Sequence, residues 1–292
     1  MWKFPQTSYL ESPMIIDPVV KMSPAEFSKI SAFIFTEYGI KLPPAKKTML
    51  ESRLQKRLRE LNISSFKSYF DYVFSNEGRK EELINMVNVI TTNKTDFFRE
   101  ADHFDYLSKN VLPEWIRENP GRTMKFWSAG CSSGEEPYTI SMVMNDYSAC
   151  YPPIDYSIFA TDLSTDVLNK AITAVYHEDR IEALPLTIKR KYFLKSKDAT
   201  NRTVRISPEL RKKVMFQRLN FMDGIYNVPS PFDVIFCRNV LIYFSKETQE
   251  EVIKKLVSKL KTGGYFFLGH SESVTHMNVP LFQIKPTIFK KL

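Results

Sequence analysis

The chain has 292 residues, 43% of them apolar, enough to bury one sizeable core or two modest ones, which excludes disorder as its main state. Its 41 Lys and Arg against 33 Asp and Glu leave a net charge of +8, which suits an acidic partner without saying which kind. Cys131, Cys150 and Cys237 form an odd set without metal-ligand spacing, no apolar run approaches the roughly 18 residues that span a bilayer, and no secretory leader pattern opens the chain. Reduced thiols, a cytoplasmic location, no membrane insertion and no metal are the expectations.

Residues 1–20 hold Pro5, Pro13 and Pro18 with no sustained period and read as a tail. Ser23-Pro24-Ala25-Glu26 is a capping box with proline at the first helical position, and Phe27, Ile30, Ile34 and Tyr38 predict an amphipathic helix ending before Gly39. A second helix after Pro43-Pro44 carries Leu50, Leu54, Leu58 and Leu61. A third starts near Ser65, and a fourth covers about Lys80–Val89. Four short helices over residues 21–90 predict a small bundle that serves recognition or packing, followed by a linker and lid over 91–123.

From residue 124 the texture changes. Met124–Ala129, Tyr156–Ala160, Val214–Leu219, Phe232–Cys237 and Tyr265–Leu268 are strand-like runs alternating with helical patterns, one of them around Val167–Val175, which signals a largely parallel sheet covered by helices. Within residues 179–213, Lys191–Leu194 and Thr203–Ile206 predict a small β-insertion. Ser245 caps a last long helix whose apolar stripe, Val252 through Leu260, is expected to end at Gly263-Gly264.

Four segments carry chemistry. Ser128–Glu136 joins a strand to a helix with small residues that admit a ligand to the backbone, and its Glu135-Glu136 pair opposes a pyrophosphate but suits hydroxyls and positive charge. Asp162, ending the next strand, is placed to accept ribose hydroxyls or to cap the following helix. Asn93–Glu100 combines polar donors, two aromatics and Arg99, as either a ligand lid or an interdomain latch. Arg238-Asn239 end an apolar strand where open α/β sheets bind ligands, with a buried structural arginine as the alternative, and Tyr243 lies four residues beyond Asn239. His103, His177, His270 and His276 have no metal-ligand spacing, and Gly269–Glu272 reads as a loop closing the sheet. On the second helix Arg53 and Arg57 sit one turn apart, with Lys46 and Lys56 near the same face; a solvated face is the alternative to a binding surface. No aromatic-interleaved basic motif supports a nucleic-acid partner.

Taken in order, Asn93-Lys94-Thr95-Asp96-Phe97-Phe98-Arg99-Glu100, Ser132-Ser133-Gly134-Glu135-Glu136-Pro137-Tyr138, Ala160-Thr161-Asp162 and Phe236–Phe244 closely resemble the chemotaxis receptor protein-glutamate O-methyltransferases, over a stretch from about Ser23 to the C-terminus. The resemblance implies a small all-α, receptor-recognising domain followed by an α/β class I methyltransferase domain of Rossmann-like fold, over residues 124–292, carrying the β-insertion. It implies S-adenosylmethionine as cofactor, S-adenosylhomocysteine as product, and the cytoplasmic helical region of methyl-accepting chemotaxis receptors as partner, modified for sensory adaptation. The family's cofactor contacts fall on Asn93, Thr95, Arg99, Glu136, Asp162, Asn220, Phe221, Arg238 and Asn239. Its catalytic positions fall on Arg99 and Tyr243, and receptor contact is expected at Lys46, Arg53, Lys56 and Arg57. Some relatives dock a receptor C-terminal peptide on the inserted sheet beside a glycine-containing turn. Residues 195–202 hold no glycine, and such capture is not expected here.

Overall fold

A computed structural model of the chain describes residues 20–151, 153–198 and 200–292. The tail expected over residues 1–20 lies outside them except for Val20. Helix α1 (Pro24–Tyr38) begins with the expected reciprocal cap between Ser23 and Glu26. After a 3-10 turn at Pro44–Lys46, α2 (Lys47–Glu60), α3 (Phe66–Val73) and α4 (Glu82–Ile90) complete a bundle. Ile30, Ile34, Leu50, Leu54, Leu58, Tyr69 and Met86 form its core.

Residues 91–123 are more than a linker. They contain α5 (Ala101–Tyr106), a π-helical turn (Leu107–Val111) and α6 (Leu112–Glu118), whose Phe104, Leu107, Val111 and Leu112 are buried against the large sheet.

The sheet is built from β1 (Met124–Ala129), β2 (Tyr156–Asp162), β6 (Val214–Arg218), β7 (Phe232–Cys237), β8 (Leu260–Leu268), β9 (Leu281–Lys285) and β10 (Ile288–Lys291), in the order β6-β2-β1-β7-β8-β10-β9. The first five strands in that order run parallel, while β10 pairs antiparallel with β8 and β9. Helices α7 (Glu135–Cys150), α8 (Thr165–Thr173) and α11 (Lys246–Ser258) make the crossovers that parallel neighbours require. This is the α/β arrangement expected, with its strand C-termini toward the helical bundle. Among the described residues no helix is long and apolar enough to cross a membrane.

The inserted region is a three-stranded antiparallel sheet in the order β3-β5-β4, formed by β3 (Val175–His177), β4 (Phe193–Lys195) and β5 (Thr203–Ile206). Two short helices, α9 (Leu186–Tyr192) and α10 (Pro208–Arg211), accompany it. Lys191 and Tyr192, expected in a strand, end α9. Val175, expected in a helix, starts β3 because Ala174 turns left-handed (φ 54°) and stops α8. Leu260 and Gly263-Gly264 likewise belong to β8. The helix stops at Ser258, and Leu260 pairs with Phe232, so an apolar residue in helical phase is used by the sheet instead.

Candidate functional site

The site forms where the C-terminal ends of β1, β2, β6 and β7 face the bundle. One pocket there is lined by Asn93, Thr95, Arg99, Glu136, Asp162 and Asn220, and also by Phe221, Arg238, Asn239 and Tyr243. The bundle closes it with Ile40, Leu42, Lys46, Met49 and Ile90. Residues from six separate stretches of sequence meet in a crevice of the kind that binds ligands in open α/β sheets.

Two glycines permit the turn after β1. Gly130 has φ +88°, and a Cβ there would lie 2.4 Å from Val240 Cγ2, so only glycine lets the Val240 side chain of the loop after β7 pack onto this turn. Gly134, at φ +94°, starts α7. The acids that follow are not the open negative pair expected. Glu135 accepts from Ser133 Oγ and from Arg180 Nη2, each at 2.7 Å, while Glu136 accepts from Ser128 Oγ and Arg238 Nε at the same distance. Each is neutralised by a guanidinium, because a buried carboxylate without a partner costs several kcal/mol, roughly, in desolvation.

Arg238 is a buried hub, 7% exposed. Besides Glu136 it donates from Nη1 to His103 Nδ1 (2.9 Å) and from Nη2 to the Arg99 carbonyl (2.8 Å), and its plane lies over the rings of Phe104 and Phe236. The guanidinium braces the pocket wall and holds the Arg99 carbonyl, as the structural alternative expected, and Arg238 also lines the pocket. The arginine bond fixes the His103 tautomer, because Nδ1 must accept and Nε2–H is left to donate to Thr287 Oγ1 at 2.8 Å. Burial, reinforced by Arg238, pushes the His103 imidazole down to about 4, so it is neutral at pH 7.

Asp162 behaves differently. Its two oxygens accept the N–H groups of Ser132 (2.8 Å) and Ser164 (3.0 Å), and it has no cation within salt-bridge reach among the described residues. Burial raises its pKa against the pull of those N–H groups. Each oxygen keeps further acceptor capacity, and Asp162 lines the pocket. An acceptor of this kind, beside Leu163, Leu219 and Phe221, fits a nucleoside carrying ribose hydroxyls and a positive charge.

Residues 93–100 act as a latch as well as a wall. Phe97 is buried edge-on against Tyr176 and Phe193 of the small sheet, while Arg180 reaches Asp96, the Thr95 carbonyl and Glu135. Ser132 Oγ donates to the Asn93 carbonyl, and the Arg99 side chain, half-buried, bonds the Lys94 carbonyl. Asn220 ties the sheet to the bundle through Nδ2 and the Glu37 carbonyl (2.8 Å).

Sequence reasoning missed Arg180 and Glu272. Glu272, 8% exposed, takes the N–H groups of Asn239 and Gly269 on Oε2 and those of Val240 and Leu241 on Oε1, at 2.7–2.9 Å. This carboxylate holds the turn from left-handed Asn239 (φ 59°) to Tyr243, although burial raises its pKa. An acid in a glycine-bounded loop is too common a pattern to have revealed this.

On α2 the guanidinium pair expected at a receptor surface is half-buried and engaged within the bundle. Arg53 Nη1 donates to the Ile90 and Thr91 carbonyls (2.6 and 2.9 Å) at the open end of α4, and Arg57 pairs with Glu82, which also accepts from Tyr69. Unsatisfied terminal carbonyls and a buried acid draw both side chains inward. Lys56 remains exposed beside Glu60, and Lys46 lies over the Tyr243 ring at 5.6 Å. Glu100, His103 and His270 come together, but Arg238 occupies His103 Nδ1 and Thr287 its Nε2, so the trio offers no free ligand set.

Residues 25–91 match the family model described as CheR methyltransferase, all-alpha domain, and residues 93–289 the one described as CheR methyltransferase, SAM binding domain. A chemotaxis protein methyltransferase of Borreliella burgdorferi is 38% identical over 277 residues, covering 93% of this chain and 96% of that protein. The Escherichia coli protein of the same name is 38% identical over 256 residues, 88% of this chain and 87% of its own. Chemotaxis protein methyltransferase 2 of Pseudomonas aeruginosa is 34% identical over 265 residues, 90% and 92% of the two chains. A crevice fitted to a cationic nucleoside, in a chain matched from one end of the described helices to the last strand, settles the assignment: the chain belongs to the CheR methyltransferase family.

Proposed function

We propose that the chain transfers a methyl group from S-adenosylmethionine to glutamate side-chain carboxylates of chemotaxis receptors, giving glutamyl methyl esters and S-adenosylhomocysteine. The observation that carries this reading is the pairing, in one crevice, of an unneutralised acceptor at Asp162 with a mouth formed by Arg99, Lys46 and Tyr243. The donor's sulfonium supplies an activated methyl group. Asp162 accepts the ribose hydroxyls, Leu219 and Phe221 cover the base, and Asn93, Thr95, Asn220 and Asn239 supply polar contacts around it. Glu136 and Arg238 act on that binding indirectly, by holding the walls.

The accepting carboxylate is ionised at pH 7, so no general base is needed. A carboxylate oxygen forms the new bond to carbon, the sulfur–carbon pair returns to sulfur, and both products are neutral at the reacting atoms. Arg99 and Tyr243 orient the carboxylate in line with the methyl group, a positioning effect worth up to roughly 7–11 kcal/mol. Residues 21–90 recognise the receptor, and residues 124–292 bind the donor together with Asn93 and Thr95 from the 91–123 segment. The cytoplasmic helical region of the receptor is the partner, and the cytoplasm, consistent with the exposed free thiol of Cys150, is the place of action.

Incubation with methyl-labelled S-adenosylmethionine and either a soluble receptor fragment or RNA tests the reading. Label on the fragment, released as methanol by mild base, is the expected result. Base-stable label, or label on RNA alone, rejects it.

A further inference from the structure

A second, open groove of about 960 Å³ runs along the outer face of α1 and ends on the turn that carries Tyr243. It shares Leu42, Lys46 and Tyr243 with the donor pocket, so the two form one continuous depression with Tyr243 and Lys46 on the divide. The Lys41 N–H donates to the Tyr243 carbonyl at 2.9 Å and fixes this seam between bundle and sheet.

The composition of the groove is one-sided. Phe35 of α1 and Ile242 of the turn line the same groove from different elements while 41% and 47% exposed, so together they offer an apolar patch. Among the described residues, Lys41, Lys46 and Lys47 are the only charged ones lining it, and no carboxylate does. Lys47 is partly engaged, lying 3.7 Å from Glu51, whereas Lys41 is exposed and has no salt-bridge partner among the described residues. An apolar floor rimmed by ammonium groups is complementary to an amphipathic segment with acidic edges. Running alongside a 15-residue helix, it suits a second helix presenting apolar residues one turn apart.

We propose that this groove seats the receptor helix, with an apolar ridge on Phe35 and Ile242 while the accepting glutamate on the adjacent turn reaches past Tyr243; this rests on the methyl-transfer reading. The lysines then draw in the carboxylates flanking the accepting one. Where a flanking carboxylate is itself a methylated glutamate its charge is gone, so affinity falls as such neighbours become methylated.

The test compares the full-length wild type with Phe35→Ser, Ile242→Ser and Lys41→Glu, using the soluble cytoplasmic fragment of a chemoreceptor from the same genome as substrate. Initial rates against fragment concentration give KM and kcat, calorimetry gives donor affinity, and circular dichroism checks the fold. For the two serine variants KM should rise about tenfold, as for the loss of a buried apolar anchor, with kcat and donor affinity within about twofold of wild type. Lys41→Glu should raise KM at low salt and less at high salt. Folded serine variants with unchanged KM overturn the groove assignment while leaving methyl transfer intact. A self-associated wild type that the substitutions turn monomeric, with KM unchanged, assigns the groove to a second copy and also overturns it. A wild type that binds donor but never labels the fragment overturns the methyl-transfer reading itself.

Discussion

Arg238 and Glu136, 102 residues apart in the chain, share a buried hydrogen bond of 2.7 Å from Nε to Oε2. It joins the end of β7 to the first turn of α7, on either side of the donor pocket, and the remaining guanidinium nitrogens carry the brace on to His103 and Arg99. The pair keeps the wall in place and removes the negative charge that the α7 N-terminus would otherwise present.

Arg238→Met should therefore be strongly destabilising, by about 3–5 kcal/mol, because it leaves Glu136 buried without its cation. Arg238→Met with Glu136→Gln should recover part of that loss. Urea unfolding of the three proteins measures both, and a single variant as stable as wild type would contradict the brace.

Asp162→Asn keeps the size of the side chain but removes its charge and replaces one accepting oxygen with a donor. Donor affinity should fall by a factor of about 10–100, the scale of one charge-assisted hydrogen bond. Calorimetry on the folded variant checks this, and unchanged affinity removes Asp162 from the site.

Glu272→Gln tests the anchor of the Asn239–Tyr243 turn. One amide oxygen cannot serve four N–H groups, and about 1–3 kcal/mol is expected for each buried donor left unpaired. Amide exchange at Val240 and Leu241 should quicken before global unfolding does, and kcat should drop more than donor affinity. Exchange rates equal to wild type at those two amides would show that the carboxylate does not hold the turn.

His103 sets an acid limit on stability. An unfolded histidine takes up a proton near pH 6.5, whereas in the fold it stays neutral until about pH 4. Between those values the unfolded chain binds the extra proton, so this contribution is complete above about pH 6.5 and is lost progressively toward pH 4. The difference between those two values corresponds to about 3 kcal/mol. Urea unfolding at pH 7.5 and pH 5.0 should show a smaller acid loss in His103→Gln than in wild type, and equal losses would exclude this origin.

The helices of the bundle were legible because capping boxes and apolar stripes are local: Ser23, Glu26 and the Phe27–Tyr38 series encode α1 within sixteen residues. The alternating α/β half was legible for the same reason, and the four long motifs pointed to the pocket that Asn93, Asp162, Asn239 and Tyr243 line together. Their order along the chain carried the family. What the side chains do with their charge was decided elsewhere. Arg53 and Arg57 have the helical phase of a shared face, yet the carbonyls at the end of α4 and the Glu82 carboxylate turn them inward. Glu135, Glu136 and Arg238 show the same rule, and Leu260, in phase for a helix, was likewise claimed by a distant partner when it paired with Phe232 in β8. Short-range pattern determines which element a segment prefers. Desolvation makes every buried charge and open backbone group find a partner, and those partners lie tens to hundreds of residues away, so only the tertiary structure assigns them.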